Sequence, residues 1–114
     1  SEPDNIKIID DSEYAQAYDS EYLKEVDIDE LEGQMLFLET EINDLLLHID
    51  ELENENDGID FILNNEAVDY FRAAELNEEK TYNKIKISEL GQNLATLKRK
   101  YQGLESQKNA KYDL

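Results

Sequence analysis

The chain predicts an all-α fold: two long helices forming an antiparallel coiled-coil hairpin, with a short apolar connector and an acidic N-terminal segment. Three observations carry that expectation. Ile28, Leu31, Met35, Leu38, Ile42, Leu45, Ile49 and Leu52 alternate spacings of three and four without a fault. Ile87, Leu90, Leu94, Leu97, Tyr101 and Leu104 repeat the pattern in the second half. An apolar residue about every 3.5 positions keeps one seam of a helix against a partner helix. The two stretches also differ in charge, since 28–56 carries ten acids and no base while 76–112 carries eight bases and four acids.

Composition narrows the architecture further. With 114 residues the chain is one domain or a fragment of a longer protein. It has no tryptophan, three phenylalanines and 35% charged residues, too little bulk for a wide globular core but enough for a narrow seam. The absence of cysteine removes disulfide frames and thiolate zinc sites. No apolar run approaches the roughly 20 residues that span a bilayer, so no membrane partner is expected and the chain reads as soluble and intracellular, cytoplasmic or nuclear. A net charge of −18 repels nucleic acid and anionic lipid, which excludes direct nucleic-acid binding and makes any charged partner basic. The charge is lopsided: residues 1–70 hold 23 acids against Lys7 and Lys24, and residues 71–114 hold six acids against nine bases.

Residues 1–27 read as an acidic, partly disordered lead-in or a docking segment. They contain Pro3, the apolar patch Ile6, Ile8 and Ile9, and Tyr14, Tyr18 and Tyr22 at a spacing of four. On a helix capped by Ser12 those three rings would share one face and could meet a partner. Little else in the segment could be buried, which favours the disordered reading.

The first long helix is expected over about 29–56. Asp29 with Glu32 forms a capping-box arrangement, and the acids of the first turn suit the helix dipole. Gly33 weakens its start by about 1 kcal/mol relative to alanine. Asp57-Gly58 is a stop signal. Leu36, Phe37, Leu46 and Leu47 lie off the seam, so a third helix or a partner interface would have to cover them.

The connector, 57–75, has two readings. Ile59, Phe61, Ile62 and Leu63, then Asn64-Asn65, then Ala67, Val68, Tyr70 and Phe71 could form a β-hairpin with the asparagines at its turn. A lone two-stranded ribbon is marginal and the polar residues do not alternate, so a short or irregular helix is preferred. The second long helix is expected over about 76–110, with Gly91 and Gly103 as soft points. There is no solenoid-length repeat and no flexible linker, hence no second domain.

Two pairings compete. Isoleucine at a and leucine at d favour a parallel homodimer, which makes homo-oligomerisation an alternative. Such a dimer would stack ten acids against ten. The antiparallel hairpin instead sets Leu45 on Ile87, Ile42 on Leu90, Leu38 on Leu94, Met35 on Leu97, Leu31 on Tyr101 and Ile28 on Leu104. It places Glu53 by Lys84, Glu39 by Lys98, Glu41 by Lys86 and Asp27 by Lys100, with Leu46 against Gly91 and one bad pair, Glu32 with Glu105. Exposed ion pairs contribute only a few tenths of a kcal/mol each, so they select orientation while the apolar layers hold the helices together.

No catalytic, cofactor or metal site is expected. With 29 acids, carboxylates at catalytic separation carry no information. The run Glu53-Glu55-Asp57-Gly58 has the glycine of a calcium loop, but its first ligand is not aspartate and Asn64 stands where the bidentate glutamate belongs. His48 is the only histidine. Asp44 lies four residues before it, and one histidine with one carboxylate makes neither a metal site nor an acid–base pair. The cluster Lys98-Arg99-Lys100 has an acidic helix to meet.

The expected function is a non-enzymatic protein–protein interaction module, an adaptor or structural subunit whose partner is another protein, helical or basic. The candidate partner-binding residues are Leu36, Phe37, Leu46, Leu47, Tyr14, Tyr18 and Tyr22. The acidic block 1–70 supports a different class, a chaperone or nucleic-acid-mimic decoy that binds a basic protein. The order of coil, short apolar middle and coil resembles the layout of prefoldin subunits, and that resemblance implies a chaperone role as a further alternative.

Overall fold

The computed structural model describes the backbone of residues 2–113 and the side chains of residues 21–113. It contains α1, Glu2–Asn65, and α2, Tyr70–Tyr112, joined by residues 66–69. The two long helices pack antiparallel against each other as a hairpin, and no strand occurs among the described residues. Of the two readings of 57–75, the preferred helical one holds for 57–65 and 70–75, the β-hairpin does not form, and residues 66–69 lie outside either helix.

Helix boundaries differ from the sequence reading at three places. The lead-in is continuous with α1, which starts at Glu2 rather than near 29. Its one proline, Pro3, sits in the first turn, where a missing N–H costs nothing. The stop expected at Asp57-Gly58 does not occur. Helical Gly58 has no positive φ, and Ile59 beside it is buried against α2 at 5% exposure, so tertiary packing outweighs the local preference of glycine. The connector shrinks from 57–75 to four residues.

Both ends of that connector are chemically closed. Asn65 Nδ2 donates to the Phe61 carbonyl at 3.0 Å and the Glu66 N–H donates to the Ile62 carbonyl at 3.0 Å, satisfying acceptors in the last turn of α1. Asp69 is the N-cap of α2. Its Oδ1 accepts from the Arg72 N–H at 2.8 Å, and its carbonyl accepts from the Ala73 N–H at 2.9 Å.

The chain divides into two compact units. Unit 2 comprises Phe37–Gln102. Its protected side chains include, on α1, Leu38, Ile42, Leu45, Ile49, Leu52, Asn56, Ile59 and Leu63 and, on α2, Ala73, Leu76, Lys80, Asn83, Ile87, Leu90, Leu94, Leu97 and Tyr101. Both series keep the three–four spacing, so the seam runs beyond the stretch of purely apolar heptads. Leu76, at 2% exposure, is its driest member.

The register is displaced by one heptad from the sequence reading. Asn83 Nδ2 donates to Asn56 Oδ1 at 3.0 Å, and Asn56 Nδ2 donates to the Lys80 carbonyl at 3.3 Å. The expected register would have set Asn56 on Leu76 and Asn83 on Ile49, burying two amides without partners. An unsatisfied buried amide costs about 1–3 kcal/mol, which decides against that alignment. Heptad steps from the Asn56–Asn83 layer bring Leu52 to Ile87, Ile49 to Leu90, Leu45 to Leu94, Ile42 to Leu97 and Leu38 to Tyr101. One turn beyond the layer, toward the connector, Lys80 pairs with Asp60.

Unit 1 comprises Ser1–Leu36 with Gly103–Leu114. Ile28 and Met35 are buried, and Leu31 and Leu104 are half-buried. Lys108 bonds Glu32 at 3.2 Å and Lys111 bonds Asp27 at 3.1 Å. Here too the partners differ from the expected ones. Asp27 takes Lys111 instead of Lys100, and Glu32 takes a lysine instead of meeting Glu105. The aliphatic stems of Lys108 and Lys111 lie along the seam while their ammonium groups reach the flanking acids.

Candidate interaction surface

Heptad position explains which side chains each helix leaves to solvent. In unit 2, the outer α1 positions include Phe37, Thr40, Asp44, Leu47, Asp50, Glu51, Asp57 and Phe61, all exposed, with Asp44 on the side that borders the flank toward α2. Phe37 is 66% exposed and Leu47 63%. Leu46 is 43% exposed. It does not close on Gly91 as the sequence suggested, because a Cβ built on Gly91 would meet nothing within 4 Å. In unit 1, Leu36 is exposed, and so are Tyr22, Leu23 and Val26. Tyr14 and Tyr18 lie outside the described side chains.

Charge is sorted by helix face. The α2 lysines Lys80, Lys84, Lys86, Lys98 and Lys100 all fall at seam or flank positions beside α1 in unit 2. The α2 outer positions of that unit, among them Tyr82, Ile85, Ser88, Gln92, Ala95 and Thr96, carry Glu75, Glu78 and Glu89 against Arg99. The α1 outer positions carry Asp44, Asp50, Glu51 and Asp57 with no base. None of these four acids makes an ion pair among the described residues. The flank pairs expected at Glu53–Lys84, Glu39–Lys98 and Glu41–Lys86 are likewise not closed. All but Glu41 and Lys86 of those side chains are well exposed, where holding two long chains together brings little return.

Sequence reasoning missed an aromatic group beside the connector. Phe61, Tyr70 and Phe71 are exposed at 62%, 81% and 77%, and the rings of Tyr70 and Phe71 meet edge to face at 5.7 Å. Their signal was present as apolar residues around a tight turn, but both readings of 57–75 treated them as material to bury. Asn56 and Asn83 were missed for the opposite reason: each falls on the three–four spacing, and their polarity hid them.

A groove of about 570 Å³ runs along one flank of the unit 2 seam, lined by Glu41, Asp44, Leu45 and His48 from α1 and by Asn93, Thr96, Leu97 and Lys100 from α2. His48 and Asp44 both face it, and no hydrogen bond orients the imidazole. No group of three metal-ligating side chains exists among the described residues, and no helix there is long and apolar enough to cross a membrane. The furrow is thus mixed polar and apolar, with side chains contributed by both helices. No protein-family model matches the chain, and neither a curated protein nor a solved structure is similar to it.

Proposed function

We propose that this chain is a non-enzymatic coiled-coil interaction module, an adaptor or structural subunit that binds another protein in an intracellular setting, cytoplasmic or nuclear. The observation that carries the reading is the set of large apolar side chains left in water after the hairpin has closed. Phe37, Leu46, Leu47, Phe61, Tyr70 and Phe71 all lie in unit 2, outside its seam. A partner surface that covers them recovers roughly 1.5–3 kcal/mol per side chain fully buried, before the costs of association.

The test is site-specific photo-crosslinking in cells, with a photoreactive residue placed in turn at 37, 47, 61, 71 and 82. A discrete adduct with the same protein at adjacent positions supports the module. Uncross-linked chain at all five positions overturns it. A second reading, an acidic chaperone or decoy for a basic protein, draws support from the unpaired α1 acids. Its mark would be binding that collapses with added salt whatever happens to the apolar side chains.

A further inference from the structure

We infer that the outer face of α1 in unit 2 is a docking strip for a basic amphipathic helix of a partner protein, anchored at Phe37 and Leu47. The inference rests on the adaptor reading and names its site. Phe37 and Leu47 both point away from α2, about 15 Å apart along the helix. Asp44 lies between them, and Asp50 and Glu51 continue the strip beyond Leu47.

The choice of occupant follows from charge. The bases of unit 2 on α2 lie beside α1 at the seam and its flanks, apart from Arg99; Lys100 lines the flank groove with Asp44, but no base pairs with Asp44, Asp50 or Glu51 among the described residues. A second copy of the chain offers no basic outer face, because α2's outer positions in unit 2 carry three acids against Arg99 and α1's are acidic. Two acidic strips brought together would repel. A helix with leucine-like residues on one stripe and lysine or arginine beside it satisfies both requirements, filling the spaces over Phe37 and Leu47 while its cations meet Asp44, Asp50 and Glu51.

The probe is a fluorescent synthetic helix of about 20 residues with leucines on one face and lysines flanking them, titrated against the full chain by anisotropy. Its counterpart with glutamates replacing the lysines is the control. Binding of the lysine peptide is expected to weaken about tenfold or more in F37S/L47S, the behaviour of anchor residues at an interface. D44N/D50N/E51Q is expected to weaken it about as much and to flatten its dependence on salt. Y82S/I85S, on the outer face of α2, should change it less than about twofold. Far-UV circular dichroism of each variant separates a lost contact from a lost fold.

Absence of binding to the native chain, equal binding of the glutamate peptide, or indifference to F37S/L47S overturns the inference. So does a native dimer by sedimentation that F37S/L47S dissociates, since the occupant would then be a second copy. If the strip fails while cross-links at 61 or 71 persist, the adaptor reading survives with its site moved to the connector end. If no position cross-links, both fall.

Discussion

The Asn56–Asn83 layer offers the sharpest perturbation. Asn83 is 4% exposed and Asn56 7%, and each holds the other across the seam. Replacing Asn83 alone with leucine leaves Asn56 with its bond to the Lys80 carbonyl but removes the donor to its own Oδ1. A buried acceptor stripped in this way costs about 1–3 kcal/mol, partly offset by the added apolar surface. N56L carries a similar cost. In the double variant N56L/N83L both polar partners are gone, and the layer becomes apolar, so stability should return to the native level or exceed it. A double-mutant cycle in urea is therefore expected to show a coupling of about 1–2 kcal/mol. The restored stability should come with a loss of alignment, because the asparagines no longer penalise a slide of one heptad, about 10 Å along the partner helix. The chain has no cysteine, so engineered pairs report alignment directly. L45C/L94C should oxidise readily in the native background and L45C/I87C should not. Both pairs should oxidise in N56L/N83L. Additive single-variant costs, or a double variant that still closes only L45C/L94C, would refute the idea that the amide pair sets the alignment.

Other expectations follow from particular contacts. Leu76→Ala removes the driest side chain of the unit 2 seam and should cost about 2–4 kcal/mol in chemical denaturation. Asp69→Ala deletes the N-cap of α2, with an expected loss of about 1 kcal/mol and faster amide exchange confined to the first turn of that helix. Gly58→Ala should stabilise the chain by about 0.5–1 kcal/mol, since the position is helical and an added Cβ meets nothing within 4 Å. Lys80→Met keeps the apolar stem but removes the ion pair with Asp60. Because the Asp60 side chain keeps 43% of its surface in water, the change in melting free energy should stay near or below about 1 kcal/mol and shrink further in salt.

How far the fold could be read from residues depends on the kind of signal. The alternation of Ile28 through Leu52 and of Ile87 through Leu104 is a repeat that only a seam explains, and the opposite charges of the two stretches point to an antiparallel partner. Alignment was not legible from those layers alone, because any two heptad series still match after a slide of seven. The residues that break the degeneracy are Asn56 and Asn83, whose partnership exists only across the seam. Helix ends were misread where local preference and packing disagree. Asp57-Gly58 is a stop in isolation, but Ile59 and Leu63 continue the seam and keep the backbone helical. The candidate surface was half legible. Phe37 and Leu47 could be seen to lie off the seam, whereas the exposure of Phe61, Tyr70 and Phe71 depends on a four-residue turn that the sequence did not reveal.

The sorting of lysines toward α1 has a physical consequence beyond binding. Within unit 2 the uncompensated negative charge lies on one side of the long axis, so the unit carries an electric moment transverse to that axis. Near a cationic surface such a body does not tumble freely: it turns α1 downward, leaving Tyr82 and Ile85 facing the solution.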